Sequence, residues 1–111
     1  MVPLLNTELV LETPVEVADG GGGVAVEWRK LGTIWAEIAA IRGREEVVGG
    51  RSASRITHRI IVRNAPEDSP RRPRAECRLR RGERVFAIRG VAPRDRRAAY
   101  LICWAEEGPF S

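Results

Sequence analysis

Lysine is almost missing from this chain: 18 of its 19 basic residues are arginine, and Lys30 is the exception. Histidine occurs once and cysteine twice, too few for the four-ligand set of a structural zinc site. Cys77 and Cys103 both fall in predicted strands, where they read as buried thiols rather than as a disulfide. No apolar run approaches the roughly 18 residues that a membrane-spanning helix needs, so no membrane partner is expected. The opening Met1–Asn6 lacks the basic start and long apolar stretch of a secretory signal peptide. No paired carboxylates, nucleophile motif or metal-ligand spacing is present, so neither an enzyme nor a cofactor is expected. The glycine run Asp19–Gly23 has no Gly-Lys-Ser/Thr after it and reads as a permissive turn, not a phosphate cradle.

What is present is charge, unevenly spread. Residues 1–50 carry 4 basic and 8 acidic groups, a net of −4, whereas residues 51–111 carry 15 basic and 7 acidic, a net of +8. Such polarity fits a molecule with an acidic partner on one part and a basic one on another. The length of 111 residues is enough for a single domain, 1–111, with its own apolar core.

The pattern along the chain is that of strands. Leu9, Leu11, Val15 and Val17 alternate with Glu8, Glu12 and Glu16, the period of a half-buried strand, and Pro14 makes its later part an edge or a bend. Val24–Lys30 and Gly32–Ile41 form one long strand with a bulge or bend at Gly32; Ile34, Ala36 and Ile38 share one face, Thr33, Trp35 and Glu37 the other. In Arg55–Arg63, Ile56, His58, Ile60 and Val62 share a face, and His58 reads as a satisfied strand histidine. Residues 64–74 are a basic, proline-rich loop with no core-forming residue, followed by a short strand at Ala75–Arg81. Gly82–Glu107 is a hairpin around the polar loop at 92–97, with Phe86 and Ile88 on one face of its first strand and Val85, Ala87 and Val91 on the other. Neither of its strands alternates cleanly, so both faces are expected to be covered. Between the second and third strands lies an insertion, 42–54, long for a hairpin loop, charged and glycine-bearing. The sum is an all-β fold: a small antiparallel barrel or sandwich of about five to seven strands with a long inserted loop and little helix.

Several stretches in this order resemble the phage head–tail joining family, also called head-closure, head-completion or stopper proteins. They are Asp19–Gly23, Trp28 with Thr33–Glu37, Gly43–Glu46, Thr57–Arg63, Gly82–Val91 and Cys103–Glu107. The resemblance implies a β-barrel subunit of a ring, a hexamer or dodecamer, in the neck of a phage or gene transfer agent. Its implied partners are the portal or adaptor proteins, the tail terminator or tail tube, and the double-stranded DNA that passes through the channel. The implied place is the virion neck, after assembly in the host cytoplasm. By position, the channel loop that gates DNA is Arg42, Arg44, Glu45, Glu46, Val47, Val48, Gly49, Gly50 and Arg51. Contacts to a neighbouring ring or to DNA fall to Arg71, Arg72, Arg74, Arg94, Arg96 and Arg97, and core or interface packing to Trp28, Trp35, Phe86 and Trp104. The alternative is a basic β-barrel that binds nucleic acid by stacking and phosphate contacts, against which stands an aromatic content of only 5%.

Overall fold

A computed structural model of the chain describes residues 2–41 and 56–109. Six strands run through them: β1 (Thr7–Ala18), β2 (Val24–Ala40), β3 (His58–Arg63), β4 (Arg78–Arg81), β5 (Arg84–Pro93) and β6 (Tyr100–Glu107). All neighbours are antiparallel. The order β1-β2-β3-β6-β5-β4 closes on itself, so the expected barrel or sandwich is a barrel. No helix occurs among the described residues.

Alternation along each strand fills the interior. Leu9 and Leu11 from β1, Ala36 from β2, Ile60 and Val62 from β3, Leu79 from β4, Phe86 and Ile88 from β5, and Leu101, Cys103 and Ala105 from β6 form one buried cluster. A barrel this narrow has room only for side chains, and Phe86 is the largest of them.

Two bulges interrupt the ladders. Leu11 pairs with Gly32 and Glu12 with Lys30, so Leu31 is the extra residue of β2, beside the glycine that signals it in the sequence. On β5, Ile88 pairs with Ala105 and Gly90 with Trp104, which leaves Arg89 over. That extra residue inverts the alternation after it. Val91, expected on the face of Val85 and Ala87, packs against the core on the side of Phe86 and Ile88 instead.

The segment 64–77 also departs from expectation. Its Pro73 is fully buried, although the loop was expected to supply no core residue. The Arg72 guanidinium folds the loop back by donating Nη1 to Asn64 Oδ1 at 2.9 Å and to the Ala65 carbonyl at 2.6 Å. Proline has no N–H to leave unsatisfied, so it is buried there without that cost. The strand expected from Ala75 begins only at Arg78, because the Cys77 N–H turns back to the Arg74 carbonyl at 3.0 Å. Cys77 and Cys103 are both buried free thiols.

Closure is narrow. β1 meets β4 in three pairs, Val10 with Arg80, Leu11 with Leu79 and Glu12 with Arg78. Glu12, on the polar register of β1, is only 6% exposed. Its Oε1 accepts from Arg78 Nε at 2.7 Å and its Oε2 from Arg80 Nε at 3.1 Å. Burial pushes the Glu12 carboxyl up, but the two guanidinium hydrogen bonds and their charge outweigh it and hold the group below its usual range. Beyond Glu12, β1 has no further partner in β4 and continues only against β2, as a two-stranded arm ending in the turn at 19–23. There the Asp19 Oδ1 accepts the N–H of Gly21 at 2.8 Å and of Gly23 at 3.0 Å, and Gly20 and Gly22 both take φ +85°, as the sequence anticipates.

At the opposite end, the Glu107 N–H donates to Thr57 Oγ1 at 2.7 Å, and the Thr57 hydroxyl meets His58 Nδ1 at 2.9 Å. The imidazole packs edge-on against Phe86 with ring centroids 5.1 Å apart. Burial lowers the His58 pKa; the Glu107 carboxylate raises it less and Arg84 lowers it further, so the ring is neutral at pH 7.

Two outcomes follow from these contacts. Glu12→Ala leaves Arg78 and Arg80 facing each other at the seam. We expect it to cost about 2 kcal/mol, below the figure for a fully buried pair because the Arg80 side chain is 36% exposed. Thermal unfolding measures this, and an unchanged melting temperature would show that the carboxylate does not hold the seam. A depressed histidine pKa stabilises the fold fully above the unfolded value of 6.5 and loses that contribution as pH falls through the folded one. The melting temperature should therefore drop as pH falls below 6.5 in the wild type, and drop less over the same range in His58→Gln. Parallel pH profiles would contradict the assignment. The carboxylates act later: Glu12 and Glu107, both lowered from 4.5, lose their contribution only below that value.

Candidate functional site

Topology divides the barrel into two ends. The β2–β3 connection, the β4–β5 turn at Gly82 and the end of β6 share one. The arm, the 64–77 segment and the β5–β6 loop at 94–99 share the other.

At the first end, the Ile41 N–H donates to the Thr57 carbonyl at 2.9 Å, so the strands are still paired where the long insertion leaves them. The candidate channel-loop residues themselves, Arg42 to Arg51, lie outside the described residues. Around the mouth of the insertion sit His58 and a two-point ion pair, Arg84 Nε to Glu107 Oε2 at 2.8 Å and Nη2 to Oε1 at 3.2 Å. The Arg84 hydrogen bond holds the Glu107 carboxyl below its usual range.

At the second end, the two basic loops are joined through Asn64. Its N–H donates to the Ala99 carbonyl at 3.0 Å and its Nδ2 to the Ala98 carbonyl at 2.6 Å. Arg63 and Arg94 share the Tyr100 ring, at 5.6 and 5.8 Å from its centroid. The structure thus brings the 71–74 and 94–97 arginines to one end, but they are not equivalent. Arg72 is spent on Asn64 and Ala65, and Arg74 donates to the Glu67 carbonyl. Arg71, Arg96 and Arg97 are exposed. Arg71 lies over Gly32, where an added Cβ would come within 3.1 Å of its Nε.

The four aromatic candidates separate in the same way. Phe86 is core. Trp104 is half-buried on the outside of β6, its ring 3.8 Å from where a Cβ on Gly90 would sit. Trp28 and Trp35, 37% and 55% exposed, are not core, because Ile34, Ala36 and Ile38 hold the inward positions of β2. Trp28 lies beneath the Arg78 guanidinium, 4.2 Å from its ring centroid, at the base of the arm. Trp35 lines an open groove of about 610 Å³ with Leu5, Thr33, Ile34, Arg63, Asn64, Ala65 and Arg71. Neither the arm's overhang nor this groove is anticipated in the sequence; the signal was the disparity between strands of 12 and 17 residues and a β4 of four.

The chemistry on offer is adhesive. Among the described residues no cluster of His, Cys, Asp and Glu is arranged to hold a metal, and no helix is long and apolar enough to cross a membrane. Burial pushes the Cys103 thiol up to about 12, far from a reactive thiolate.

The chain matches the family of phage head completion proteins over residues 2–108. Among solved structures it is similar to a chain from the virion of a native gene transfer agent particle, at 44% identity and a TM-score of 0.75, over 96% of this chain and 98% of that one. No curated protein matches. On a family match that leaves out only Met1 and the last three of its 111 residues, this chain belongs to the phage head completion proteins.

Proposed function

We propose that the chain is a structural, non-enzymatic subunit of the neck of a tailed-phage-like particle, joining the portal or adaptor of the capsid to the tail. The observation that carries the reading is the near full-length similarity, at 44% identity, to a chain of a gene transfer agent virion. In this reading the chain forms a ring of six or twelve copies, resides in the virion, and surrounds the DNA that leaves the head.

The two-ended barrel supports the finer assignment. The insertion leaves one end and the exposed arginines Arg71, Arg96 and Arg97 crowd the other. One end then serves the channel and the other a neighbouring ring or DNA phosphates. In the insertion, Arg42, Arg44 and Arg51 hold DNA while Glu45 and Glu46 keep that hold weak; Val47 and Val48 let neighbouring loops pack, and Gly43, Gly49 and Gly50 let them swing aside.

Two variants test the proposal in particle-producing cells. Arg94, Arg96 and Arg97 changed together to Glu should give heads without tails, counted by electron microscopy; normal tail joining would remove this loop from the interface. Deleting Glu45–Gly50 should leave the melting temperature near wild type and let packaged DNA leak from tailless heads. Full DNA retention in those heads would show that the insertion is not the stopper.

A further inference from the structure

The arm is the largest feature the barrel does not use. β1 pairs with β4 only from Val10 to Glu12, and β2 with β3 only from Ala36 to Ala40, so Thr13–Ala18 and Val24–Arg29 pair only with each other. An overhang of six residues at about 3.3 Å each reaches about 20 Å. That matches the excess of the long molecular axis, 51 Å, over the next, 30 Å. A two-stranded ribbon standing alone in water is marginally stable, and both of its edges carry unpaired backbone groups. Its surface is also wrong for solvent. Val24 and Val26 are 65% and 55% exposed, and alternation along β2 puts them on one face with Trp28, opposite Ala18, Glu16 and Pro14 of β1. Outward of Trp28 the arm's only charged residues are Glu16, Asp19 and Glu27, all acidic, whereas Arg29 and Lys30 lie at its base.

A complementary surface exists on the same chain. The groove beside Trp35 has an apolar floor of Leu5, Ile34 and Trp35 and a rim carrying Arg63 and Arg71, with no acidic residue in its lining. The chain's own arm cannot fill it. Val26 precedes Trp35 by nine residues on one continuous strand, about 30 Å at about 3.3 Å per residue.

We propose that the β1–β2 arm of one copy seats in the Trp35–Arg63–Arg71 groove of a second copy. Val24, Val26 and the two tryptophans supply the buried apolar area, and Glu16, which pairs with Val26 and shares its face, sets the register against Arg63 and Arg71. Because the two surfaces differ, the contact is heterologous, the kind that closes into a ring or runs on as a filament. This rests on the neck-ring reading for its closure and adds which surfaces meet.

The test is a cross-link within purified particles. Val26→Cys and Ala65→Cys are introduced into the same chain, and the particles are treated with a short bis-maleimide, which tolerates several ångströms of error in register. The native thiols are buried and do not compete. We expect a ladder of covalent multimers on a denaturing gel, absent from either single variant. Monomer alone, from normally tailed particles whose necks hold several copies of the chain, overturns the arm–groove contact and leaves the neck-ring reading standing. Necks that hold one copy overturn both.

Discussion

The Glu12 carboxylate, held between the guanidinium groups of Arg78 and Arg80, sits where the sheet must close. β4 is four residues long and shares three pairs with β1, so little backbone holds the seam. Opening it would make β4 an edge strand and wet Leu11, Leu79 and Phe86 together. A carboxylate this buried is unfavourable unless both of its oxygens are satisfied, which ties the strand register to the ion pairs: a slip by one residue would turn Glu12 away from both arginines. The same site marks where the barrel stops. One residue further, β1 has left β4, the Leu31 bulge twists β2, and the arm begins, with Arg78 reaching across to cover Trp28 at its base.

From that branch point the molecule acquires its polarity. β2 runs from the arm through the barrel to the insertion, so a single strand of 17 residues joins the two ends. The arm and the two basic loops leave together, the former acidic toward its tip and the latter rich in arginine, while the long insertion leaves opposite. A subunit built this way presents different surfaces at its two ends, which suits the proposed stacked assembly.

Much of this was legible in the sequence where the signal is local. The Asp19–Gly23 turn, the Gly32 bulge and the β5–β6 hairpin depend on residues close together in the chain, and their turn chemistry and alternation are written there. What was not legible depends on distance or on a shift of one residue. Glu12 looked like an outward polar residue because its partners lie 66 and 68 positions away. Val91 was placed on the wrong face because the extra residue at Arg89 carries no glycine or proline of its own to announce it; the nearest cue, Gly90, follows it. Pro73 looked like a loop residue because its burial depends on Arg72 folding back to Asn64. Trp28 and Trp35 looked as suited to the core as to an interface, and only the barrel's closure shows that β2 presents them outward. Of the candidate residues, those at 42–51 lie in the insertion outside the described residues, so their role rests on their place between β2 and β3.

The central claim is that several copies of this polar barrel surround the DNA path at the neck. A three-dimensional reconstruction of the neck of particles containing this chain tests it most directly. The account predicts a closed ring of barrels between head and tail, with the 42–54 insertions toward the axis and the arms between neighbours. A single asymmetric copy, or density for this chain elsewhere in the particle, would contradict it.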